Sequence, residues 1–301
     1  MRKPTCCLLV IAILSAILSG CASHDQPAET PPTTARVVAT TETESIPETA
    51  IETSDATTVP ESTADVTEET VPAETEYQFP AQRVVGKSRE PVMALPEVSG
   101  DPTDFFSDAA FIGDSISYSL FVYQNKTGEL GNPLFLVRGK LGLQNTLNKV
   151  LKVYYQGKEM TPWEALAASG AKKVFIMLGT NDIGYYGIDE TMERWGTFVG
   201  NIRELCPDIQ IYIQSLTPMW TESEQKLLNN ANIDIYNQRL EAFADENSCH
   251  FVNIAPYFKD STNGMAVTYS GDRYVHMREE GVAAWVTVLK AYAAEQEKEM
   301  A

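Results

Sequence analysis

Three short stretches of the sequence carry residue types that can perform acyl transfer. Gly113-Asp114-Ser115 places a serine hydroxyl directly after an apolar run, and Gly179-Thr180-Asn181-Asp182 places a side-chain amide after another. His276 supplies an imidazole late in the chain. A serine becomes nucleophilic beside a general base, and an amide donor stabilises the negative charge that develops on the attacked oxygen. The residues therefore predict nucleophilic catalysis by Ser115, on condition that the fold brings them together.

The choice of base follows from the positions of the three histidines. His24 lies in a Thr/Glu/Pro-rich stretch, and His250 lies at the amino end of a predicted strand. His276 precedes the last predicted helix, in a loop that can fold back over a site, so we predict that His276 is the base. An imidazole also needs a partner that fixes its tautomer, and Asp272, four residues earlier, is the candidate.

Further donors for the developing oxyanion are predicted from the main chain. Ser115 begins a predicted helix, so its amide has no acceptor within that helix and lies at the positive end of the dipole. The Asn181 side chain is the second donor. A glycine amide after the second predicted strand is the third, and we favour Gly142 over Gly139.

These motifs follow strands in a regular alternation of strands and helices. The predicted strands are Ala109–Ile112, Leu134–Val137, Val174–Leu178, Ile209–Ile213 and Phe251–Ile254. The predicted helices run from Ser115 through Tyr123, and over Trp163–Ser169, Glu190–Leu205, Ile233–Asn247 and Arg278–Glu295. This alternation predicts an α/β fold with a five-stranded parallel sheet between helices, in which sites form at the carboxyl ends of the strands.

In this order the motifs resemble those of the SGNH (GDSL-type) hydrolases. Gly113-Asp114-Ser115 is similar to the family's first block, Gly142 to the second, Gly179-Thr180-Asn181-Asp182 to the third and His276 to the last. The resemblance spans about residues 108–295. It implies a flavodoxin-like three-layer sandwich, a seryl-ester intermediate, and neither a metal nor an organic cofactor.

The last block departs from the family's Asp-x-x-His pattern, because three residues separate Asp272 from His276. A backbone carbonyl could orient His276 instead. We therefore predict at this stage that Asp272→Ala costs far less activity than His276→Ala.

The resemblance, together with the cell-surface location that the N-terminal residues predict, favours an esterase acting on small acyl esters, with O-acetyl groups on carbohydrate as the first substrate class. Tyr185, Tyr186 and Trp220 follow two of the strands, where they could face a sugar or pack as a lid or core. Two alternatives stay open. One is an acyltransferase that uses the same residues, and the other is a non-catalytic surface lipoprotein that binds glycan or a partner.

The first 100 residues indicate secretion and anchoring. Arg2 and Lys3 precede an apolar run too short to span a membrane, which is typical of a signal peptide. The run ends in Leu18-Ser19-Gly20-Cys21, which resembles a bacterial lipobox, so Cys21 is predicted to be lipidated and to hold the protein on the outer side of the cell membrane. We expect residues 1–20 to be the signal, 21–100 a disordered Thr/Glu/Pro-rich tether and 101–301 the catalytic domain.

The distribution of charge and of cysteines limits the possible partners. Of the formal net charge of −18, −12 lies in residues 22–80 and +2 on the first two basic residues, which leaves −8 for residues 81–301. Such a domain is not expected to bind nucleic acid, and a monomer is expected. Cys206 and Cys249 could form a disulfide in an oxidising compartment, although we favour free thiols. No cysteine or histidine spacing predicts a zinc site.

Overall fold

A computed structural model describes residues 88–300. The signal sequence, Cys21 and most of the predicted tether lie outside these residues. The described chain forms seven strands, six α-helices and three short 3-10 helices. The strands are β1 (Ala109–Gly113), β2 (Leu134–Val137), β3 (Val153–Tyr155), β4 (Lys158–Met160), β5 (Lys173–Met177), β6 (Gln210–Gln214) and β7 (His250–Val252). The helices are α1 (Ser115–Thr127), α2 (Leu143–Leu147), α3 (Pro162–Ser169), α4 (Thr180–Leu205), α5 (Asn230–Glu246) and α6 (Glu279–Met300).

Five of the strands form one parallel sheet in the order β2-β1-β5-β6-β7. Helices α1 and α6 pack together, and α3, α4 and α5 form a second packed group. This arrangement confirms the predicted α/β sandwich, and β2 spans the residues that were predicted for the second strand. The direction in which successive strands are added to the sheet reverses between β1 and β5. This topological switch point lies beside the carboxyl ends of β1 and β5, which carry the first and third motifs.

A row of aromatic rings crosses all five strands on one face of the sheet. Register partners stack at centroid distances of 4.4 to 5.1 Å, and the members are Phe135, Phe111, Phe175, Tyr212 and His250. Offset and stacked aromatic pairs add to the free energy gained from burying the rings. His250 is therefore the end of a packing row at the amino end of β7, in agreement with its exclusion as the base.

Several features differ from the sequence prediction. The short helix α2 was not predicted, and β7 is His250–Val252 rather than Phe251–Ile254. Helix α4 begins at Thr180 rather than near Glu190, and non-helical dihedral angles at Gly187 (φ 73°, ψ −178°) interrupt it. The hairpin of β3 and β4 was not predicted; its turn residues Gln156 and Gly157 both have positive φ. Strands of three residues give too short an alternation to be recognised.

The chain before the first strand contacts the domain. Residues 88–92 lie beside residues 259–268, joined by hydrogen bonds such as Val92 N to Lys259 O (2.9 Å) and Val267 N to Arg89 O (2.8 Å). These residues fall within the predicted tether. Over the part of the chain that the structure covers, no helix has the length and apolarity to cross a bilayer.

Candidate active site

Ser115 lies at the junction of β1 and α1, at the carboxyl edge of the sheet. Gly113 makes the turn possible, because a Cβ there would come within 2.0 Å of Ser117 Oγ and 3.0 Å of the Met177 carbonyl. Asp114 caps α1 by accepting the Ile116 amide at 2.9 Å. The nucleophile candidate is thus held by regular structure on both sides, with its hydroxyl at the mouth of the site.

The structure brings Ser115, His276 and Asp272 into one hydrogen-bonded chain. His276 Nε2 lies 2.9 Å from Ser115 Oγ, and His276 Nδ1 lies 2.6 Å from Asp272 Oδ2. A carboxylate can only accept, so Nδ1 carries the proton and donates to it. The other ring nitrogen, Nε2, is then free to accept the proton of the serine hydroxyl. This is the arrangement that a serine nucleophile and its base require.

The doubt raised by the spacing between Asp272 and His276 is resolved by the loop that joins them. Asp272 Oδ1 accepts the amides of Tyr274 (2.8 Å) and His276 (3.2 Å), while Arg273 adopts φ 58°. One residue in the left-handed region lets the chain fold back over an Asx-type turn. The extra residue is absorbed there, and a carboxylate rather than a backbone carbonyl contacts Nδ1.

Main-chain bonds close the base of this loop. Gly271 N donates to His276 O at 2.9 Å, and Ser270 pairs with Met277 in an isolated bridge. The side chains of His276 and Asp272 are 41% and 39% exposed. Water therefore reaches the base side of the site, as a hydrolytic second step needs.

The three proposed oxyanion donors lie around this site, but two already have acceptors within the protein. Asn181 Nδ2 donates to Asp114 Oδ2 (2.9 Å) and to Leu141 O (3.1 Å). Gly142 N donates to Asn145 Oδ1 at 2.9 Å. Both donors must exchange an acceptor before they can bind an oxyanion. Their oxyanion role stays a prediction, and Gly139, the alternative, is exposed.

Asp182 holds the loop that contains Gly142, which the sequence did not reveal. Its two carboxylate oxygens accept the amides of Leu143 and Gln144, each at 2.9 Å, at the start of α2. A Cβ on Gly142 would lie 2.7 Å from Asp182 Oδ2, so a glycine is needed for this close approach. The signal was present in the Asn-Asp pair of the third motif, but only the asparagine was given a role.

Buried and exposed carboxyls differ in pKa across the site. Burial raises the pKa of Asp114 to about 6, against the opposing effects of the Ile116 amide and the nearby His276. Burial also raises the pKa of Asp182, although its two amide donors oppose this. For Asp272, partial burial raises the pKa, but hydrogen bonds from His276 and the Tyr274 amide outweigh it, so the pKa lies below the usual value.

The aromatic residues named from the sequence lie in different surroundings. Tyr185 is 81% exposed, and Tyr186 is also exposed, with the Arg194 guanidinium 4.5 Å from its ring centroid. Trp220 is covered on one side by Arg89, whose guanidinium carbon lies 4.1 Å from the ring centroid. Trp220 and Tyr186 therefore each carry an arginine on the ring, while Tyr185 is the most open of the three to a ligand.

No group of three or more potential metal ligands occurs within residues 88–300. Cys206 and Cys249 are free thiols in the structure, and Cys249 is buried. Burial raises the pKa of both thiols.

The sequence profile of the GDSL-like lipase/acylhydrolase family matches residues 111–284, more than half of the chain. No curated protein gives a significant match. Solved structures share the fold. A candidate platelet activating factor from Streptococcus pneumonia has 20% identity and a TM-score of 0.50, over 62% of this chain and 83% of the other. A candidate acylhydrolase from Bacteroides fragilis has 17% identity and a TM-score of 0.50, over 62% and 86%.

Proposed function

The chain belongs to the GDSL-like lipase/acylhydrolase family, and from that premise we propose that it is a cell-surface esterase of small acyl esters, with O-acetyl groups on carbohydrate as substrates. It is a serine esterase of this family. The observation that carries the proposal is the chain of contacts from Ser115 Oγ to His276 Nε2 (2.9 Å) and from His276 Nδ1 to Asp272 Oδ2 (2.6 Å).

The proposed reaction proceeds in two acyl transfers. Ser115 Oγ bonds to the ester carbonyl carbon as His276 Nε2 takes its proton, and the carbonyl electron pair moves to the oxygen. The tetrahedral intermediate collapses, the carbon–oxygen bond to the alcohol breaks, and His276 protonates the departing alcohol. Water then attacks the seryl ester with His276 as base, which releases the carboxylic acid and restores Ser115. Asp272 stabilises the imidazolium formed in each step.

The proposed oxyanion hole consists of the Ser115 amide, the Gly142 amide and the Asn181 side chain. The acceptors that Gly142 and Asn181 use in the structure include two neutral amide oxygens, Asn145 Oδ1 and Leu141 O. Hydrogen bonds to a charged acceptor are about twice as strong as those to a neutral one. The exchange is therefore favourable only when negative charge has developed, which favours the transition state over the bound ester.

The rim of the site supports a carbohydrate ester. Tyr185 follows Asn181 by one helical turn of α4, and its ring is 81% exposed. An exposed ring of this kind can stack on the apolar face of a sugar. The acyl group then needs to reach only from the sugar to Ser115, which suits a short acyl chain.

The cell-surface part of the proposal rests on the sequence, because Cys21 lies outside the described residues. We expect Cys21→Ser to release the protein from membranes into the medium in a bacterial host. Retention of the variant in the membrane fraction would contradict lipidation at Cys21.

The catalytic proposal is tested by labelling the full-length chain with a fluorophosphonate probe and mapping the adduct. We expect one adduct, on Ser115, that is lost in Ser115→Ala and in His276→Ala. Ser119→Ala is the matched control, because that hydroxyl lies one turn along α1 and donates to the Ile116 carbonyl. Folded wild-type protein without an adduct would contradict the esterase and favour the binding protein.

The substrate class is tested with O-acetylated polysaccharide, p-nitrophenyl acetate and a long-chain ester. We expect release of acetate to water and little turnover of the long chain. Transfer of acetyl to an added sugar in preference to water would replace the hydrolase with the acyltransferase. Tyr185→Ala is expected to raise KM for the polysaccharide without changing KM for p-nitrophenyl acetate.

A further inference from the structure

The segment Ser88–Val92, here called the strap, joins the loops around the site from outside the family domain. The Ser261 side chain donates to Ser88 O (2.6 Å), Val267 N to Arg89 O (2.8 Å), and Val92 N to Lys259 O (2.9 Å). The family profile begins at residue 111. The features that define the family therefore do not account for the strap.

Arg89 is the residue of the strap that reaches toward the site, and it contacts three groups at once. Its Nη1 donates to Glu222 Oε1 at 2.7 Å, its Nε pairs with Asp260 Oδ2, and its guanidinium lies on the Trp220 ring. The Asp260 side chain is completely buried. The contact with Glu222 is a hydrogen bond and the contact with Asp260 is an ion pair; a planar guanidinium can make both while stacking through its face, which an ammonium cannot do.

Trp220 connects Arg89 to the loop that carries His276. The Trp220 amide donates to the Tyr274 carbonyl at 2.7 Å, and the Arg273 guanidinium lies 6.0 Å from the ring centroid of Trp220. Ser223 Oγ, three residues further on, donates to the Arg273 carbonyl at 2.7 Å. Two successive carbonyls of the His276 loop are thus fixed by the segment that Arg89 holds.

We propose that Arg89 is a positioning residue for His276, acting through Trp220. The inference rests on the proposed esterase, because the quantity that it controls is the contact between His276 Nε2 and Ser115 Oγ. The internal hydrogen bonds of the His276 loop fix its own shape, so its outer contacts at Arg273 and Tyr274 set where the loop places the imidazole. Displacement of a catalytic group by about 1 Å can cost on the order of 100-fold in rate.

A purely structural role for Arg89 is the competing explanation, because the buried carboxylate of Asp260 needs a cation. The two roles differ in their consequences. A structural role lowers the melting temperature and leaves the folded protein fully active. A positioning role slows chemistry in the folded protein and leaves ester binding unchanged.

Arg89→Lys separates these roles in the full-length chain, because lysine keeps a cation for Asp260 but loses the planar stack on Trp220. Arg239→Ala is the matched control, since it removes an exposed ion pair with Asp189 on the outside of α5. For each variant, the fluorophosphonate labelling rate, kcat and KM for p-nitrophenyl acetate and the melting temperature are measured. Trp220→Leu and the double variant of Arg89→Lys with Trp220→Leu complete a double-mutant cycle.

We expect Arg89→Lys and Trp220→Leu each to lower labelling and kcat by roughly 10-fold, with KM within about twofold and the protein folded. The double variant is expected to be no slower than the slower single variant, and Arg239→Ala to match wild type. If folded Arg89→Lys labels at the wild-type rate, the inference is overturned but the proposed esterase is not. The same follows if the losses in the two single variants multiply in the double variant. Wild-type protein that does not label would overturn the proposed function as well.

Discussion

The two halves of the proposed catalytic site are built in different ways. The nucleophile half, Ser115 with Asp114 and Asp182, lies at junctions of strands and helices, and both aspartates are buried. The base half, Asp272 to His276, is a loop whose two catalytic side chains are about 40% exposed. Regular strands and helices position the first half, whereas an Asx-type turn and contacts from Trp220 and Ser223 position the second.

Side chains of one catalytic site can thus be held in position in two ways. Strand ends and helix starts fix Ser115 because backbone hydrogen bonds leave few alternatives. The His276 loop lies outside the regular strands and helices, and it is supported by side chains such as Ser223 and, through Trp220, the strap residue Arg89. The position of His276 should therefore be more sensitive than that of Ser115 to substitutions far from the site.

The largest expected effect tests whether the two halves act as one unit. Ser115→Ala and His276→Ala should each lower kcat by roughly 10⁶-fold, because neither residue performs the attack alone. The double variant should lose no more than either single variant. Steady-state kinetics on p-nitrophenyl acetate measure this, and multiplied losses would mean that the halves contribute independently.

Asp272 should show the next largest effect. Because Asp272 Oδ2 lies 2.6 Å from His276 Nδ1, we expect Asp272→Ala to lower kcat by roughly 10³- to 10⁴-fold, still less than His276→Ala. Asp272→Asn keeps an oxygen for the turn but removes the charge. If Asn restores activity, the loop fold rather than the charge is what Asp272 provides.

The pH dependence of stability should differ in sign between the halves. The pKa of Asp114 is about 6 in the folded protein and 3.8 as a reference, so between about pH 4 and 6 the folded state holds a proton that the unfolded chain releases. The free energy of unfolding therefore falls as pH rises, by on the order of 3 kcal/mol from this group. Asp272, with a lowered pKa, contributes stability above its unfolded pKa and loses it in acid.

Denaturant unfolding of Asp114→Asn and wild type from pH 4 to 8 measures this. The stability of the variant relative to wild type should increase over that range. The same difference for Asp272→Asn should stay nearly flat, because this carboxyl titrates below the range. A flat difference for Asp114→Asn would show that its carboxyl does not titrate near pH 6.

A smaller effect is expected on stability, from removing one of two tyrosine hydroxyls: that of Tyr236, which lies beneath the nucleophile half, or that of Tyr274 in the base half. The buried Tyr236 hydroxyl donates to Leu178 O (2.9 Å) and accepts from Trp195 Nε1 (2.7 Å), beneath the turn that presents Asn181. Tyr236→Phe leaves two buried groups unpaired and should cost about 1–3 kcal/mol of unfolding free energy. Tyr274→Phe, the control, loses one exposed bond from Gln225 and should change it by less than about 0.5 kcal/mol. Equal costs would contradict the difference between the halves.

The nucleophile half could be predicted from the sequence because its determinants are local. A glycine and a helix cap after an apolar run located Ser115, and elimination among three histidines located His276. The role of Asp182 as an acceptor for two amides of α2 was missed, because it depends on a partner 39 positions away in the chain. Arg89 was missed for the same reason, with 133 positions between it and Glu222.

The spacing of Asp272 illustrates a limit of motif patterns. The family pattern counts residues between aspartate and histidine, whereas the geometry depends on the distance between two side-chain atoms. A single left-handed residue, Arg273, makes the longer loop equivalent. The sequence shows the extra residue but does not show which residue takes positive φ.

The strap also sets the edge of the domain at which the described chain begins. Its contacts lie on loops that follow the carboxyl ends of β6 and β7, the same edge of the sheet that carries Ser115. If Cys21 is lipidated as proposed, the link to the membrane would join the domain at Ser88, on this edge. Esters fixed to that same envelope would then meet Ser115 at a local concentration set by the length of the link, whereas esters free in solution would gain no such advantage.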